Sequence, residues 1–185
     1  MIRAVFGLLL LLAGAAAGIA SAVAAIELYG QTPVAPGSPW ASWNLSPAAS
    51  AYPYALAHYL LAGRFPPATG QLREYSAQRS NDGGVLTTVC EYTLVATPQP
   101  SRWWSIAAFS GAENGGRSNA VITADTAVTE ADGSLRIVVS RNPSSGNWVR
   151  PPETGAFTLL YTVTEAAAAQ SPQSAPSFTI GRSKC

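Results

Sequence analysis

The N-terminal segment constrains this chain more than any other feature. Between Arg3 and Glu27 there is no charged side chain. As an α-helix at ~1.5 Å per residue, residues 4–26 span about 35 Å, which is enough to cross a hydrocarbon core of ~30 Å. Since the positive charge precedes the run, the positive-inside rule keeps the N-terminus in the cytoplasm. We therefore predict that residues 1–26 form a single-pass anchor in the inner membrane, with everything after Glu27 in the periplasm.

The same segment allows a second interpretation, a cleaved signal peptide. Val5–Leu12 has the length of an apolar signal core, and Ala22-Val23-Ala24 matches the small-residue pattern of a cleavage site. The apolar run continues well beyond that core, which favours an anchor. Secretion after cleavage near Ala24 remains the alternative, and in both interpretations the domain is exported.

Charge is low and almost balanced, which bears on the class of partner. The chain has 11 Lys and Arg against 10 Asp and Glu, and charged residues make up 11% of it, whereas about a quarter is usual. Affinity for nucleic acid comes mainly from clustered basic side chains that neutralise phosphates. Since the sequence contains no basic run, we expect no nucleic acid partner.

Proline and glycine dominate the stretch that follows the apolar run. This stretch, residues 27–51, contains Pro33, Pro36, Pro39, Pro47, Gly30 and Gly37. Such a composition excludes a continuous helix or a central strand. We predict a Pro-rich spacer over 27–51, followed by a periplasmic β-rich domain over 52–185.

Three aromatic residues lie in or beside this spacer. Tyr29 is expected at the level of the lipid headgroups, where amphipathic rings are enriched. For Trp40 and Trp43 two positions stay open: the same headgroup layer, or the outer edge of the folded domain.

One soluble helix is predicted, over Tyr52–Gly63. Pro53 suits a first helical turn, and Gly63 suits the residue after the last turn. Leu56, Tyr59 and Leu60 are expected to form its apolar stripe.

The rest of the chain has the alternating pattern of β-strands separated by turns rich in Asp, Asn and Gly. The predicted strands are Val85–Ala96, Trp103–Phe109, Leu135–Ser140, Phe157–Thr164 and a short last strand, Phe178–Ile180. Many short strands with few helices favour two packed antiparallel sheets. The predicted fold is mainly β, an antiparallel, jelly-roll-like sandwich with one short soluble helix, preceded by a single transmembrane helix.

Adjacent tryptophans in one strand must point to opposite faces of the sheet. We expect Trp104 in the core with Ile106, and Trp103 on the other face or covered by a loop. The candidate recognition surface, suited to sugar rings or an apolar peptide, comprises Arg102, Trp103, Asn147, Trp148 and Arg150. The commoner alternative is that these tryptophans cap the end of a sandwich and bind no ligand.

The two cysteines, Cys90 and Cys185, are the sharpest local signal. In an oxidising compartment, two cysteines of an exported domain usually pair. A disulfide would tie the C-terminal tail to a core strand. The alternative is a buried Cys90 with a free thiol at the C-terminus.

No recognisable catalytic or metal-binding motif is present. His58, the single histidine, lies within the predicted helix, and the chain has no G-x-S-x-G motif. Zinc needs three or four ligands at suitable spacing, which two distant cysteines and one histidine do not supply. We therefore predict no catalytic residue, no metal site and no cofactor.

Two segments resemble a known family. They are "CEYTLVATPQPSRWWSIAAF" and "DGSLRIVVSRNPSSGNWVRPPETGAFTLLYT", and they are similar to the bacterial envelope family catalogued as domain of unknown function 1214. The matching positions are Arg102 to Ser105, Asp132 to Leu135, Ile137, Asn147, Trp148, Pro152, Phe157 and Leu159. The resemblance covers roughly residues 52–164. It departs from the family in the last strand, where "FTLLYTV" lacks the usual arginine.

The resemblance implies a β-rich fold in the cell envelope with no agreed activity. We expect a noncatalytic, membrane-anchored periplasmic domain that binds or supports another envelope component, either a protein or a glycan. The alternative is an envelope hydrolase acting on a sugar or lipid. A cleft that joins His58 to two carboxylates would favour the hydrolase, whereas a shallow apolar patch around Trp103 and Trp148 would favour binding.

Overall fold

The computed structural model describes residues 2–43, 53–61, 65–66, 72–96, 103–110, 120–164 and 176–185. The elements in chain order are α1 (Ile2–Gly30), β1 (Gln31–Pro33), β2 (Trp40–Trp43), α2 (Pro53–Leu61), β3 (Leu72–Ala77), β4 (Glu91–Ala96), β5 (Trp103–Ser110), β6 (Val121–Thr123), β7 (Leu135–Val139), β8 (Asn147–Val149), β9 (Phe157–Thr164) and β10 (Thr179–Lys184).

Helix α1 is the one described helix that is long and apolar enough to cross a membrane. Between Arg3 and Glu27 it is built from leucine, alanine and other uncharged residues, so helix propensity and hydropathy agree along this part. None of its most apolar window is buried inside the protein. Its length and exposure are compatible with a membrane anchor or with a signal sequence.

The strands form two sheets. The six-stranded sheet has the order β1-β2-β3-β9-β5-β6, and the four-stranded sheet has the order β10-β4-β7-β8. The described strand pairs are antiparallel except for β7 and β8, which run parallel. The prediction of a mainly β fold with one short soluble helix and an N-terminal apolar helix is confirmed.

The core lies on the alternating faces that the sequence pattern identified. The core contains the side chains on one face of β9 and the alternate side chains of β4 and β7. This follows because a strand directs every second side chain to the same side. In these strands and their flanks, the buried core residues are Leu86, Cys90, Tyr92, Leu94, Leu135, Ile137, Val139, Phe157, Leu159, Tyr161 and Val163. Trp104 packs against this cluster, and Ile106 is fully buried within it, as expected.

Part of the predicted spacer belongs to the folded sheet. Strands β1 and β2 both come from residues 27–51, and β2 pairs with β3. Trp40 and Trp43 are buried, and the indole of Trp40 donates a hydrogen bond to the carbonyl of Phe178 at 2.8 Å. Pro33 fits at the end of β1, and Pro36 and Pro39 fit in the β1–β2 turn, because ladder donors are not needed there. Residues 44–51 lie outside the described residues, and the boundaries at 26, 51 and 52 stay predictions.

Helix α2 buries a different side from the one predicted. Ala55, His58 and Tyr59 are buried, whereas Leu56 and Leu60 are exposed. Of the predicted stripe, only Tyr59 faces inward. The small Ala55 allows α2 to approach Trp43 and Ile26 closely, and this packing outweighs the local apolar pattern. The predicted helix ends at 52 and 63 lie outside the described residues.

The last strand is longer than predicted and is joined covalently to the core. Strand β10 pairs with β4 along its length, with Lys184 opposite Glu91 at the end of the ladder. The next residue, Cys185, forms a disulfide bond with Cys90, the residue that precedes β4. The bond therefore closes the open end of the β4–β10 pair and holds the tail in place.

This geometry predicts that the disulfide contributes strongly to stability. The bond spans 95 residues, and in the chain-entropy treatment a loop of that size is worth at most about 4.7 kcal/mol. The double variant Cys90→Ser/Cys185→Ser should lose about 3–4.5 kcal/mol of unfolding free energy. Urea unfolding of the detergent-solubilised chain, followed by tryptophan fluorescence, measures the difference.

The unsubstituted chain treated with a thiol reductant is the matched control, and it should reach the same midpoint as the double variant. An unchanged midpoint in both samples would contradict a stabilising bond.

Candidate recognition surface

The predicted recognition residues lie on elements of both sheets. Trp103 begins β5 in the six-stranded sheet, whereas Asn147 and Trp148 belong to β8 in the four-stranded sheet. Arg150 follows β8 and is exposed. Arg102 lies outside the described residues.

Trp103 is half-buried and is held by its indole nitrogen. The indole N–H donates to a carboxylate oxygen of Asp125 at 3.2 Å. Asp125 lies in the turn after β6, the strand that pairs with β5. Trp104, the next residue, points to the opposite face and packs against Phe178 and Tyr161 in edge or tilted geometries. The two rings therefore lie on opposite faces of β5, as strand alternation requires: Trp104 packs against the core, and Trp103 lies on the other face.

Asn147 has a structural role at this surface. It is buried, and its side-chain oxygen accepts a hydrogen bond from the amide of Val128 at 2.7 Å. Its side-chain nitrogen donates to the carbonyls of Val128, at 2.7 Å, and Arg136, at 2.8 Å. A buried amide with these partners fixes the loop around Val128 to β7, since each broken bond would leave a desolvated backbone group.

Trp148 is half-buried and is anchored separately from Trp103. Its indole N–H lies 2.9 Å from the carbonyl oxygen of Ser140 and 3.2 Å from the Ser140 hydroxyl oxygen. In the described part of the chain, no ring contact joins Trp148 to Trp103. The structure thus brings Asn147 and Trp148 onto one short strand, but it does not merge the two indoles into one aromatic cluster.

The segment 124–130 connects the two anchored tryptophans. It begins with a hydrogen bond from the Ala124 amide to the Trp104 carbonyl at 2.9 Å, and it then reaches Asn147 through Val128. The side chain of Val128 itself is exposed. Indole faces, an exposed valine, the Asp125 carboxylate and Arg150 offer apolar contact and hydrogen bonds to a ligand. None of these groups forms a nucleophile–base pair.

A buried cluster under α2 was missed by the sequence interpretation. The rings of Trp43 and His58 stack with centroids 3.4 Å apart and planes 17° apart. Beside them, the Tyr59 hydroxyl donates to Glu74 at 3.0 Å. No sequence signal pairs Trp43 with His58, fifteen residues later in α2, because the contact depends on β2 joining the sheet. His58 is therefore packed in the interior, and its neighbour Tyr59 is hydrogen-bonded to the Glu74 carboxylate.

Two turn aspartates have lowered pKa values. A hydrogen bond from Ser80 is the main cause of the lowered pKa of Asp82, and the Gly84 amide and the Arg182 guanidinium lower it further. Hydrogen bonds from Ser134, first of its side chain and then of its backbone amide, lower the pKa of Asp132. Both residues lie in Asp-Gly turns that the sequence predicted, so these shifts reflect turn geometry, since each stabilises the ionised carboxylate.

Among the described residues, no group of three or more His, Cys, Asp and Glu side chains is arranged to hold a metal ion.

Comparison with known proteins identifies one family. The family described as "Protein of unknown function (DUF1214)" matches residues 73–168, which is just over half of the 185-residue chain. This range contains the described recognition residues and both members of the β5–β9 pair. None of the curated proteins matches the chain.

Two solved structures share the fold. A crystal structure of an uncharacterised protein from Burkholderia cenocepacia matches with a TM-score of 0.50 and 20% identity, over 64% of this chain and 31% of that one. A protein from Vibrio parahaemolyticus matches with a TM-score of 0.53 and 17% identity, over 69% of this chain and 35% of that one. The chain thus spans about a third of the length of either protein, and the likeness extends to the fold alone.

The contacts of Asn147 predict that its substitution is destabilising. Asn147→Ala leaves the amide of Val128 and the carbonyls of Val128 and Arg136 without their partner, which should cost about 3 kcal/mol. Asn142→Ala is the matched control, because Asn142 is exposed and contributes only its backbone carbonyl to a described hydrogen bond.

Urea unfolding of the two variants measures the difference, and Asn142→Ala should stay within about 0.5 kcal/mol of the unsubstituted chain. Equal stability of the two variants would show that Asn147 does not hold the loop.

The lowered pKa of Asp82 predicts a pH dependence. Because the folded-state pKa lies below the ordinary value of 3.8, the ionised carboxylate stabilises the fold above that value. This contribution is lost as the pH falls through the folded-state pKa. Asp82→Asn should therefore lower the unfolding midpoint at pH 7 and flatten its decline between about pH 4 and 2.

Glu153→Gln serves as the control, since Glu153 is exposed and has no described hydrogen bond to its side chain. Thermal unfolding followed by circular dichroism over this pH range gives both profiles. Identical profiles for the two variants would contradict a stabilising role for Asp82.

Proposed function

The chain belongs to the DUF1214 family of proteins of unknown function, and we propose that it is a noncatalytic, membrane-anchored periplasmic domain that binds or supports another cell-envelope component. Its partner is an envelope protein or a glycan, recognised by the surface around Trp103 and Trp148. The observation that carries the proposal is the exposure of α1: an apolar helix of this length that its own domain does not bury needs a lipid environment if the mature protein retains it.

The contacts between the end of α1 and the domain support a retained membrane anchor rather than a cleaved signal peptide. The helix continues unbroken past Ala24 to Gly30, and the ring of Trp43 packs directly on Gly30, where a Cβ would overlap it. Ile26 also packs against the Trp43 cluster. The last turn of the apolar helix is therefore part of the folded domain, so that a retained helix would hold the domain at the membrane without an intervening linker.

The disulfide supports export. Disulfides persist in oxidising compartments such as the periplasm and are rare where cytosolic reductants act. A bond between Cys90 and Cys185 would thus be maintained on the side of the membrane to which the positive-inside rule assigns the domain. The low charge of the chain is in keeping with a membrane-proximal module.

The recognition surface supports binding over hydrolysis. Trp103 and Trp148 are half-buried, and each is fixed through its indole nitrogen while part of its ring faces solvent. Fixed amphipathic rings give contact area at low entropic cost on binding. A hydrolase built on the single histidine would need an accessible imidazole beside carboxylates, whereas His58 is 3% exposed and stacked on Trp43.

Binding by this surface predicts that Trp148→Ala loses the partner. The full chain, crosslinked in cells and purified from membranes in detergent, should retain a defined protein or glycan, and Trp148→Ala should recover at least fivefold less of it. Trp148→Phe keeps an aromatic ring but removes the hydrogen bond to Ser140. Recovery between those of the unsubstituted chain and Trp148→Ala would show that the ring and the hydrogen bond each contribute to binding.

Val89→Ala is the control, since Val89 is 73% exposed and precedes β4, outside the recognition surface. Quantitative mass spectrometry and glycan analysis measure recovery. If Trp148→Ala and Val89→Ala recover the partner equally, this surface does not bind it, and if the unsubstituted chain retains nothing above an unrelated anchored domain, the binding function fails.

A further inference from the structure

The outer side of α2 is apolar. Leu60 and Leu61 are 63% and 67% exposed, and Phe65, shortly after the helix, is 92% exposed. Leu56 is exposed as well, and the helix contains no Asp, Glu, Lys or Arg. A helix on the surface of a soluble domain normally turns a polar face to water. Adjacent exposed leucines with a phenylalanine beyond them instead suggest an interaction surface. We call Leu56, Leu60, Leu61 and Phe65 the α2 patch.

The opposite side of α2 is attached to the end of α1. Ile26 of α1 packs against the cluster that contains Ala55 and Tyr59 of α2. One turn further along α1, the ring of Tyr29 lies 6.0 Å from that of Tyr54. These contacts fix α2 beside the last turn of α1.

The length of α1 determines the depth of this contact in a membrane. About 20 helical residues cross a hydrocarbon core of ~30 Å, so a span that starts after Arg3 leaves the core near residue 24. Glu27, the next charged residue, lies just beyond this point. The segment from Ile26 to Gly30 is about 6 Å long and fits the headgroup layer, which is roughly 5–8 Å thick on each side. Helix α2 therefore contacts α1 at the level of the headgroups.

From this juxtaposition we propose that α2 is an interfacial helix, whose patch inserts into the boundary between headgroups and acyl chains in the periplasmic leaflet crossed by α1. An uncharged apolar face at this depth matches the position that amphipathic interfacial helices occupy. Tyr29 and Tyr54 lie where aromatic residues are enriched. The inference rests on the tether in the proposed function, and it is independent of the recognition surface.

Labelling from the lipid tests this assignment. The full chain is reconstituted into vesicles of phosphatidylcholine and phosphatidylglycerol that contain a lipid with a photoactivatable diazirine on its acyl chain. After illumination, tandem mass spectrometry locates the adducts. The α2 patch should be labelled at least tenfold more than Val89 and Val128, which are 73% and 66% exposed but belong to loops of the β-sheets. Labelling of α1 is the internal reference.

A double variant provides the matched comparison. Leu60→Glu/Leu61→Glu changes only exposed side chains, so the fold should survive, which circular dichroism verifies. Labelling of Phe65 should fall at least fivefold, whereas Val89→Glu should leave it unchanged. Equal labelling of Phe65 in both variants would overturn the inference.

The failures of the tether and of the interfacial helix can be told apart. If α1 is labelled and the α2 patch is labelled no more than twofold above Val89 and Val128, the tether stands and the interfacial helix is refuted. A patch that is shielded by a protein partner would give this same result. If the intact mass of the membrane-purified chain shows that residues 1–26 are absent, both the tether and the interfacial helix fail.

Discussion

The removal of α1 from water is the constraint on which the rest of this structure depends. The helix exposes apolar side chains along most of its length, and at ~25 cal/mol per Å² of apolar area such a surface cannot remain hydrated at reasonable cost. The domain does not bury this apolar surface. The folded part must therefore form next to a lipid phase or after loss of the helix. In the first case the contacts of Ile26 and Gly30 with Trp43 join the membrane segment directly to the sheet.

Much of the β architecture follows from local pattern. Strand β9 begins and ends at the predicted residues, because Phe157 to Thr164 alternates large apolar and smaller side chains between turn-forming segments. The assignment of Trp104 to the core-facing side of β5 and of Trp103 to the opposite side also needed only the two-residue period of a strand. The strand bounds and the placement of the two rings are therefore encoded within a few residues of where they occur. The disulfide joins residues 95 positions apart, and its pairing was predicted from the number of cysteines and the predicted compartment.

The elements that were missed depend on distant partners. Strands β1 and β2 are short and lie in a proline-rich stretch, so their local propensity is low. They form because β3 offers a pairing edge and because Trp40 reaches the carbonyl of Phe178, 138 positions away. The buried side of α2 was misjudged for the same reason: the leucines follow a helical stripe, but the surface that receives the helix is lined by Trp43 and Ile26 and accommodates Ala55. Likewise, Asn147 holds the loop around Val128 through hydrogen bonds to residues distant in sequence, and no local motif predicts these contacts.

Two points of attachment to the membrane would change how the proposed recognition surface meets a partner. A domain held by α1 alone could rotate about the helix axis, whereas a second contact through α2 would restrict its orientation. The surface is also internally rigid, since Asn147 fixes the loop at Val128 and the two indoles are bonded to Asp125 and Ser140. Restricted orientation and local rigidity both reduce the entropy lost when a partner in the same membrane binds, and confinement to the membrane raises the effective concentration of that partner. A weak contact with a half-buried indole would then be sufficient to bind a component that is held in the membrane at the height of the surface. The same contact would not be sufficient to bind that component from solution.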